Sequence, residues 1–355
     1  MDNFRLTNLP PAADLETLEI MKALNRASRS LAELKGEAKT IPNERILINT
    51  LSLQEAKDSS AIENIITTND ELFRASVDES FKNLATKEVQ NYSEALKYGF
   101  KLIKKFELLT TNHIAKIHEN LEPNKKGFRK IPGTALKNDI TGETVYTPPQ
   151  NHTEIINLMS NLEKYINDDG LHNIDPLLKM GIIHFQFESI HPFYDGNGRT
   201  GRIINILYLV LKDLLDIPVL YLSRYIKKNK GEYYRLLQNV RDKEDWAAWL
   251  IWLLNGVTET SMNTMIMIRE MNILMNHYKK EIKEKYKFYS QDLINNLFAH
   301  PYTKIEFIEN DLKVHRNTAM SYLNELCAGG YLIKTKFGIS NYYINEPLFN
   351  LLKGD

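Results

Sequence analysis

Cysteine is almost absent from this sequence: among 355 residues, Cys327 is the only one. This excludes an internal disulfide and a zinc site made of cysteines, and we interpret Cys327 as a small core residue of a protein in a reducing compartment. An excess of one charge is also missing, because 45 Lys and Arg residues balance 45 Asp and Glu residues. The chain therefore has no overall basic field that would attract nucleic acid or an anionic membrane.

Long apolar runs are missing too. The most apolar stretches, such as residues 203–211, are far too short to span a bilayer. Residues 1–11 are polar, include two adjacent prolines and contain no apolar run of the signal-peptide type. We therefore expect a cytoplasmic protein that does not bind membranes, and its length allows two or three domains.

Helical periodicity dominates the chain and strand signals are few, so the predicted fold class is mainly α. The predicted helices are residues 13–34, 44–57, a short segment at 61–66, 89–105, 110–121, 151–166, 176–190, 203–214 and about 257–287. Asn43 is the expected N-cap of the second helix. The helix 176–190 is apolar on nearly every side, which predicts a buried central helix. Glycines and prolines in residues 127–149 instead indicate a β-hairpin or loop, with a turn at 139–142.

The last part of the chain has the pattern of a winged-helix module. Three helices are predicted at residues 291–299, 304–310 and 315–328, followed by strands at 331–334 and 339–344, which a turn containing Gly338 joins. Such a module suggests DNA binding, and Lys313, Arg316, Lys334 and Lys336 could cluster on one side. Residues 301–355 nevertheless contain six Lys plus Arg and six Asp plus Glu, which is a poor electrostatic footprint for DNA. Packing, dimerisation or docking of a target is the alternative role.

Residues 191–202 concentrate the chemistry, in the sequence His-Pro-Phe-Tyr-Asp-Gly-Asn-Gly-Arg-Thr-Gly-Arg. Pro192 disfavours a helical conformation at His191, so the chain should turn there. His191 could accept a proton near neutral pH. Gly196 and Gly198 permit tight backbone geometry in front of a helix, whose N-terminal N–H groups bind phosphate.

Three charged side chains complete this set. Arg199 and Arg202 lie three apart on the new helix and supply two guanidinium groups, and Asp195 is an oxygen ligand suited to Mg²⁺. The alternative is a glycine-rich connection between helices with a histidine that is merely hydrogen-bonded. A base, a metal ligand, an anion cradle and two arginines within twelve residues favour the catalytic interpretation.

The same segment resembles the signature of the Fic family, His-Pro-Phe-x-(Asp/Glu)-Gly-Asn-(Gly/Lys)-Arg-x-x-Arg, and matches it at every defined position. The resemblance implies a helical bundle with a short β-hairpin flap that transfers AMP from Mg²⁺·ATP to a Ser, Thr or Tyr hydroxyl of a protein. It implies His191 as the base that deprotonates the hydroxyl and Asp195 as the Mg²⁺ ligand. Phe193 is expected to anchor the loop in the core. The implied nucleotide-binding residues are Gly196, Asn197, Gly198, Arg199, Thr200, Gly201 and Arg202.

Two further stretches extend the resemblance. Residues 220–223 and 229–237 are similar to the family's stretch downstream of the active site, where Tyr234 would line the nucleotide pocket. Core packing is the alternative for a Tyr-Tyr pair on a helix. Residues 127–149 correspond to the family's flap, which holds a target peptide by strand addition over the active site.

The stretch Ser-Ser-Ala-Ile-Glu-Asn at residues 59–64 resembles the family's inhibitory motif, (Ser/Thr)-x-x-x-Glu-(Gly/Asn). Ser59 and Glu63 lie four apart and hence on one helical face, and Asn64 completes the motif. The resemblance implies that Glu63 pairs with Arg202, where a carboxylate competes directly with phosphate. A solvated glutamate is the alternative, but the intact signature downstream favours the inhibitory interpretation. Similar proteins use this glutamate to orient water for the removal of AMP, so reversal stays open here.

We therefore predict an autoinhibited protein adenylyltransferase that also modifies itself and, by resemblance, forms a homodimer. The predicted division is 1–105 for an N-terminal helical region with the inhibitory helix at about 58–66, 106–256 for the Fic catalytic domain, 257–288 for a linker helix and 289–355 for the winged-helix domain. Two alternatives stay open. One is transfer of another nucleotide-derived group, such as UMP, phosphate or phosphocholine, although Gly198 rather than lysine after Asn197 favours AMP. The other is a DNA-binding regulator whose Fic domain senses ATP.

Overall fold

The computed structural model describes residues 4–77, 83–137, 141–337 and 340–353, and it confirms the mainly α class with 68% helix. The helices of the described residues are α1 (Leu18–Ala38), α2 (Glu44–Ile62), α3 (Asn69–Val77), α4 (Leu84–Phe106), α5 (Thr111–Leu121), α6 (His152–Asn167), α7 (Pro176–Ile190), α8 (Asn197–Leu211), α9 (Leu222–Lys228), α10 (Lys230–Lys243), α11 (Trp246–Lys285), α12 (Gln291–Ala299), α13 (Ile305–Leu312), α14 (Arg316–Ala328) and α15 (Glu346–Lys353). The strands are β1 (Leu136–Lys137), β2 (Thr144–Tyr146), β3 (Tyr302–Thr303), β4 (Ile333–Phe337) and β5 (Ser340–Ile344). Within these described ranges, no helix combines the length and the apolarity needed to cross a bilayer.

Helix α7 is the buried central helix that the sequence predicts, with the predicted bounds. Asp175 caps it by accepting the N–H of Leu177 at 2.8 Å, and Pro176 occupies the first turn, where its missing N–H costs nothing. Every residue from Leu177 to Ile190 is buried, and α7 packs against α1, α6, α8 and α11. The loop that follows α7 therefore starts from a fixed point in the interior.

The prediction for α2 was wrong in one respect. We expected a helix ending at Lys57 and a separate short helix at 61–66, but α2 continues without a break to Ile62. No glycine or proline interrupts the sequence there, and buried side chains such as Ser59 and Ser60 hold the last turns against neighbouring helices. The helix ends because Asn64 adopts a left-handed conformation, with φ 63°.

The long helix begins earlier than the sequence indicates. Helix α11 starts at Trp246 rather than about Val257, and Asp245 caps it by accepting the N–H of Ala248 at 3.2 Å. Helix α1 packs along it, and Arg269 pairs with Glu37 across the two helices at 2.9 Å. The expected boundary between residues 256 and 257 thus lies inside one continuous helix, and the division of the chain into domains stays a prediction.

The C-terminal module has the three predicted helices and the two predicted strands. The sequence analysis missed β3 and α15, which are too short for a periodic signal; β3 pairs with β5, so the antiparallel sheet has the order β3-β5-β4. The Tyr302 hydroxyl donates to Asp70 Oδ1 at 2.5 Å, and its ring stacks on Phe73, so the module packs on the N-terminal helices. The predicted turn at Gly338 lies outside the described residues.

The predicted flap is present as the antiparallel pair β1 and β2. Its expected turn at residues 139–142 falls partly outside the described residues.

Candidate functional site

The segment with the concentrated chemistry connects α7 to α8. His191 ends α7 in a left-handed conformation with φ 49°, and α8 begins at Asn197 after Gly196, which has φ 70°. The turn predicted at His191 is present. The helix predicted at residues 203–214, after both glycines, instead starts at Asn197 and ends at Leu211, so Gly198 lies in its first turn. A Cβ on Gly196 would lie 3.1 Å from the Glu122 Cγ, so the backbone conformation and the close side chain both favour glycine there.

The Asn197 side chain is hydrogen-bonded across the loop to the backbone of Phe193. Its Oδ1 accepts the Phe193 N–H at 2.8 Å, and its Nδ2 donates to the Phe193 carbonyl at 2.9 Å. In the described part of the chain, the backbone N–H groups of Asn197, Gly198 and Arg199 have no protein acceptor. The Asn197 side chain therefore shapes the loop, and the N-terminus of α8 leaves three backbone donors for an anion.

Phe193 lies in the core, as expected, and a residue that the sequence analysis missed packs on it. The His118 ring stacks on Phe193 with centroids 3.6 Å apart, and His118 Nε2 hydrogen-bonds the Asp195 carbonyl at 2.9 Å. Burial lowers the pKa of His118 to about 4, so this ring supports the loop as a neutral group at pH 7. An isolated histidine on α5 carries no sequence signal of this contact.

Arg129 connects the flap to the motif by hydrogen bonds. The sequence did not indicate this role, because an isolated arginine carries no signal of its tertiary contacts. Its side chain is 1% exposed, and its Nε donates to the His191 carbonyl at 2.8 Å. Its Nη2 donates to the carbonyls of Ile190, at 3.3 Å, and Pro149, while its backbone N–H donates to the Pro192 carbonyl at 2.8 Å. One guanidinium thus joins both ends of the flap to the C-terminal end of α7.

The environment of His191 favours the neutral imidazole. Burial lowers its pKa to about 4, with the Arg129 guanidinium acting in the same direction, against the Glu188 carbonyl and the Glu63 carboxylate. His191 is therefore neutral at pH 7, which is the form that accepts a proton.

We expect the His191 ring to remain neutral in an NMR titration until the pH approaches its pKa of about 4. The unfolded chain binds this proton first, at about pH 6.5. The native state therefore loses stability from His191 as the pH falls from about 6.5 through about 4. Imidazole ¹H–¹⁵N spectra, with the signal assigned by its loss in His191→Ala, measure the midpoint. A midpoint near 6.5, the value of an unburied histidine, would contradict this interpretation.

The predicted inhibitory residues meet at Arg202. Arg202 Nε donates to Ser59 Oγ at 2.8 Å, and its Nη2 donates to the Ser59 carbonyl at 3.0 Å and to Glu63 Oε1 at 2.8 Å. The Arg202 side chain is 2% exposed and that of Glu63 is 34% exposed. A Cβ on Gly198 would collide with Glu63 Oε1, so this carboxylate lies directly over the start of α8. Although burial acts to lower the pKa of Arg202, the Glu63 carboxylate raises it.

Glu63 reaches Arg202 from the C-cap of α2, not from within the helix as expected. Asn64 also lies outside the helix. Its left-handed backbone conformation ends α2, and its Oδ1 accepts a hydrogen bond from Lys230 Nζ at 3.4 Å. Asparagine is one of the few residues besides glycine that tolerate this conformation. This gives a physical reason for glycine or asparagine after the glutamate of the motif.

Arg199 has separate partners from Arg202. Its side chain is 3% exposed, with Nη1 3.1 Å from Glu88 Oε2 and Nη2 2.7 Å from Glu122 Oε1. The two arginines that the sequence places three apart on α8 are therefore both buried and both paired with carboxylates.

Asp195 is the most exposed of the predicted charged residues, with 56% of its side chain accessible. Its Oδ2 lies 2.6 Å from Lys125 Nζ, and its Oδ1 accepts the Gly196 N–H at 2.7 Å. Burial acts to raise the pKa of Asp195, but these two hydrogen bonds and the positive charges of Lys125 and Arg199 outweigh it and lower the pKa. Among the described residues, no three His, Cys, Asp or Glu side chains are arranged to hold a metal. A single accessible carboxylate fits Mg²⁺, which takes one or two carboxylates together with substrate phosphates.

The remaining predicted nucleotide-binding residues are Thr200, Gly201 and Tyr234, of which the first two are buried and the third is exposed. Thr200 is buried, and its Oγ1 donates to the Gly196 carbonyl at 2.8 Å. Gly201 is buried against Glu188, whose Oε1 lies 2.5 Å from where a Cβ would be. Tyr233 is the core tyrosine of its pair, since its hydroxyl hydrogen-bonds His184 at 2.8 Å, whereas Tyr234 is 45% exposed.

Two buried carboxyl groups near Arg202 had no signal in the sequence. Burial raises the pKa values of Glu55 and Glu188 to about 7 each. Glu55 accepts hydrogen bonds from the Tyr92 hydroxyl at 3.1 Å and from the Ser223 backbone N–H at 3.1 Å. Near neutral pH these groups are partly protonated, so Glu63 is the main counter-charge of Arg202.

Three family models match the chain. A model described as Fic/DOC family N-terminal matches residues 21–101, and one described as Fic/DOC family matches residues 108–209, which include the motif. A third, described as the C-terminal domain of SoFic-like protein adenylyltransferases, matches residues 274–348.

Individual proteins show more distant similarity. A probable protein adenylyltransferase of Aquifex aeolicus is 30% identical over 172 residues, which are 46% of this chain and 52% of that protein. The protein adenylyltransferase Fic of Drosophila ananassae is 25% identical over 245 residues, 67% of this chain and 43% of that protein. The chain thus spans about half, or less, of the length of these curated relatives.

Solved structures share the fold. The crystal structure of a Fic family protein from Desulfovibrio desulfuricans aligns with 95% of this chain and 98% of that one, with a TM-score of 0.60 and 20% identity. Fic-1 of Caenorhabditis elegans aligns with 70% of this chain and 74% of that one, with a TM-score of 0.55 and 18% identity.

Proposed function

The chain belongs to the Fic/DOC family, whose two models together match more than half of its residues, and we propose that it is a protein adenylyltransferase. In this proposal it transfers AMP from Mg²⁺·ATP to a Ser, Thr or Tyr hydroxyl of a protein, itself included. The relatives named as adenylyltransferases support this activity.

The observation that carries the proposal is the loop between α7 and α8. It places a neutral, buried His191 at one end and three unpaired backbone N–H groups at the other. An accessible carboxylate, Asp195, lies between them. A base, an anion-binding helix terminus and a magnesium ligand are the groups that transfer of a nucleotidyl group needs.

In the proposed reaction the His191 imidazole takes the proton of the target hydroxyl. The hydroxyl oxygen attacks the α-phosphorus of ATP, the new oxygen–phosphorus bond forms, and the bond to the leaving pyrophosphate breaks. The N–H groups of Asn197 and Gly198 bind the phosphates, and Arg202 balances charge on the triphosphate once Glu63 leaves it. Mg²⁺, when bound, would supply charge neutralisation on the phosphates, and Asp195 would hold it.

The proposal includes autoinhibition by Glu63. Its carboxylate lies 2.8 Å from Arg202 Nη2 and directly over Gly198, where phosphates would approach the N-terminus of α8. A carboxylate in this place repels a triphosphate and occupies its guanidinium. The same carboxylate could orient water for removal of AMP, so we include the reverse reaction as a second activity of the site. The homodimer, the cytoplasmic location and DNA binding by the C-terminal module stay predictions.

Labelled ATP tests the activity. The Glu63→Gly chain, alone and with candidate protein targets, is incubated with Mg²⁺ and ATP labelled on either the α- or the γ-phosphate. We expect protein to carry the α-label and the mass of one AMP per site, whereas the γ-label leaves with pyrophosphate. A matched sample with the metal chelated should remain unlabelled.

Other outcomes would replace this proposal. Protein that carries the γ-label would indicate transfer of phosphate, and labelling only from UTP or CDP-choline would indicate a different donor. No labelling from any donor, together with specific binding of DNA, would favour the nucleotide-sensing regulator.

A further inference from the structure

The two arginines of the motif differ in how they are held. Arg202 has one carboxylate partner, Glu63, which is 34% exposed and stands at the end of a helix. Arg199 has close carboxylate partners on two different helices, Glu88 from α4 and Glu122 from the C-cap of α5. The Asp195 Oδ1 of the loop lies farther away, 4.0 Å from Arg199 Nη2. Removing Glu63 leaves Arg202 without a carboxylate and hydrogen-bonded only to Ser59, whereas Arg199 would have to leave both Glu88 and Glu122.

Glu122 does more than pair with Arg199. Its side chain is 15% exposed, its Oε1 lies 2.7 Å from Arg199 Nη2, and its Oε2 lies 3.8 Å from Lys125 Nζ. Lys125 in turn pairs with Asp195 at 2.6 Å. The Glu122 Cγ also packs where a Cβ on Gly196 would be. One glutamate therefore contacts both sides of the loop turn, at its glycine and at the first turn of α8.

The charges of this cluster alternate. Glu88, Arg199, Glu122, Lys125 and Asp195 follow one another as acid, base, acid, base, acid, each paired with the next. If Arg199 turned toward a triphosphate, Glu88 and Glu122 would lose their shared cation beside an incoming polyanion. The two side chains are partly buried, with 27% of Glu88 and 15% of Glu122 exposed, and leaving a partly buried carboxylate unpaired is unfavourable. The geometry thus favours an Arg199 that stays in place when nucleotide binds.

We propose that Arg199 is a positioning residue and not a triphosphate ligand, and that Glu122, with Glu88, holds it so that the start of α8 presents its N–H groups to the nucleotide. This inference rests on the proposed function, because it concerns the same site. It changes the role that the sequence suggests for Arg199 and adds Glu122 and Glu88 to the residues on which ATP binding depends. Arg202 is then the motif arginine that meets the triphosphate.

A double-mutant cycle on ATP affinity tests this role. The parent chain carries Glu63→Gly and His191→Ala, which remove the proposed inhibitory carboxylate and the proposed base, so that ATP binds without turnover. Calorimetry measures the dissociation constant of Mg²⁺·ATP. We expect Glu122→Ala and Arg199→Ala each to weaken binding about tenfold, and the double variant to be no more than about twofold weaker than either, because residues that act through one contact are strongly coupled. Arg202→Ala should instead lower the affinity by the same factor with or without Glu122.

Two results would overturn the proposal. If Arg199→Ala weakens ATP binding equally in both backgrounds, Arg199 meets the phosphates directly. If Glu122→Ala tightens the binding of Mg²⁺·ATP, Glu122 is a second inhibitory carboxylate, which competes with phosphate for Arg199. Glu119→Ala, an exposed glutamate of α5 that pairs with Lys126, is the matched control and should leave the affinity unchanged. Should Glu122→Ala fail to fold, Glu88→Gln replaces it in the same cycle.

A failure of the proposed function can be told apart. If the parent binds no ATP, the adenylyltransferase proposal fails, and the positioning role is judged without nucleotide. Hydrogen exchange of the amides of residues 196–199 should then rise in Glu122→Ala and in Arg199→Ala, and no further in the double variant. Exchange that does not change would overturn the positioning role.

Discussion

Replacing His191 by alanine in the Glu63→Gly chain is expected to reduce transfer of α-labelled AMP by at least about 100-fold, which is the lower end of what a positioned general base contributes. His191 is the neutral, buried imidazole of the loop, with a pKa lowered to about 4. Without it, no described side chain of the motif offers an unprotonated nitrogen to the target hydroxyl. Initial rates of labelling at pH 7 measure the effect.

Two controls separate loss of the base from loss of the fold. The His191→Ala chain should still bind Mg²⁺·ATP, because the N–H groups of α8 and the Arg202 side chain are unchanged. His113→Ala changes a partly exposed histidine on α5, outside the motif, and should label at the parent rate. Labelling that survives His191→Ala would show that another group, or water, accepts the proton.

Replacing Glu63 by glycine is expected to raise labelling about 10- to 100-fold, since a charge-assisted hydrogen bond is worth about 1.5–3 kcal/mol. The change removes the carboxylate 2.8 Å from Arg202 Nη2 and clears the space over Gly198. The affinity for ATP should rise with the rate, because the γ-phosphate no longer competes with Glu63. Glu63→Gln, which keeps the shape and removes the charge, should give an intermediate increase.

The matched control is Glu107→Gly. Glu107 is the exposed C-cap of α4, so the same substitution is made at the same helical position, away from the motif. Equal labelling by the native chain and by Glu63→Gly would leave the enzyme in place and remove the inhibitory role of Glu63.

Local sequence signals predicted the bounds of a helix correctly where residues that favour a helix start and a helix end are both present. Helix α7 has the predicted bounds because Pro176 suits the first turn and Pro192 prevents the helix from continuing past His191. Helix α2 extends past its expected end because the side chains of Ser59 and Ser60 are buried in tertiary contacts, which a local sequence pattern does not predict. Short elements such as β3 and α15 were missed because they depend on neighbours for their stability.

The motif and the chemistry that we propose for it could be predicted from residues 191–202, because a helix terminus, its glycines and its charged residues are adjacent in the chain. The sequence also indicated that Glu63 belongs with Arg202, through a resemblance and not through proximity. It assigned Arg199 and Arg202 the same role, since spacing along a helix says nothing about which carboxylates other helices bring to each side chain.

The sequence by itself determined the helical class, the loop between two apolar helices and the residue types that the proposed chemistry needs. Only the tertiary structure decided the pKa of His191, the burial of both arginines and the supports supplied by His118 and Arg129. The reason is physical. A pKa shift and a buried ion pair depend on which groups lie within a few ångströms, and those groups come from helices that are far apart in the chain.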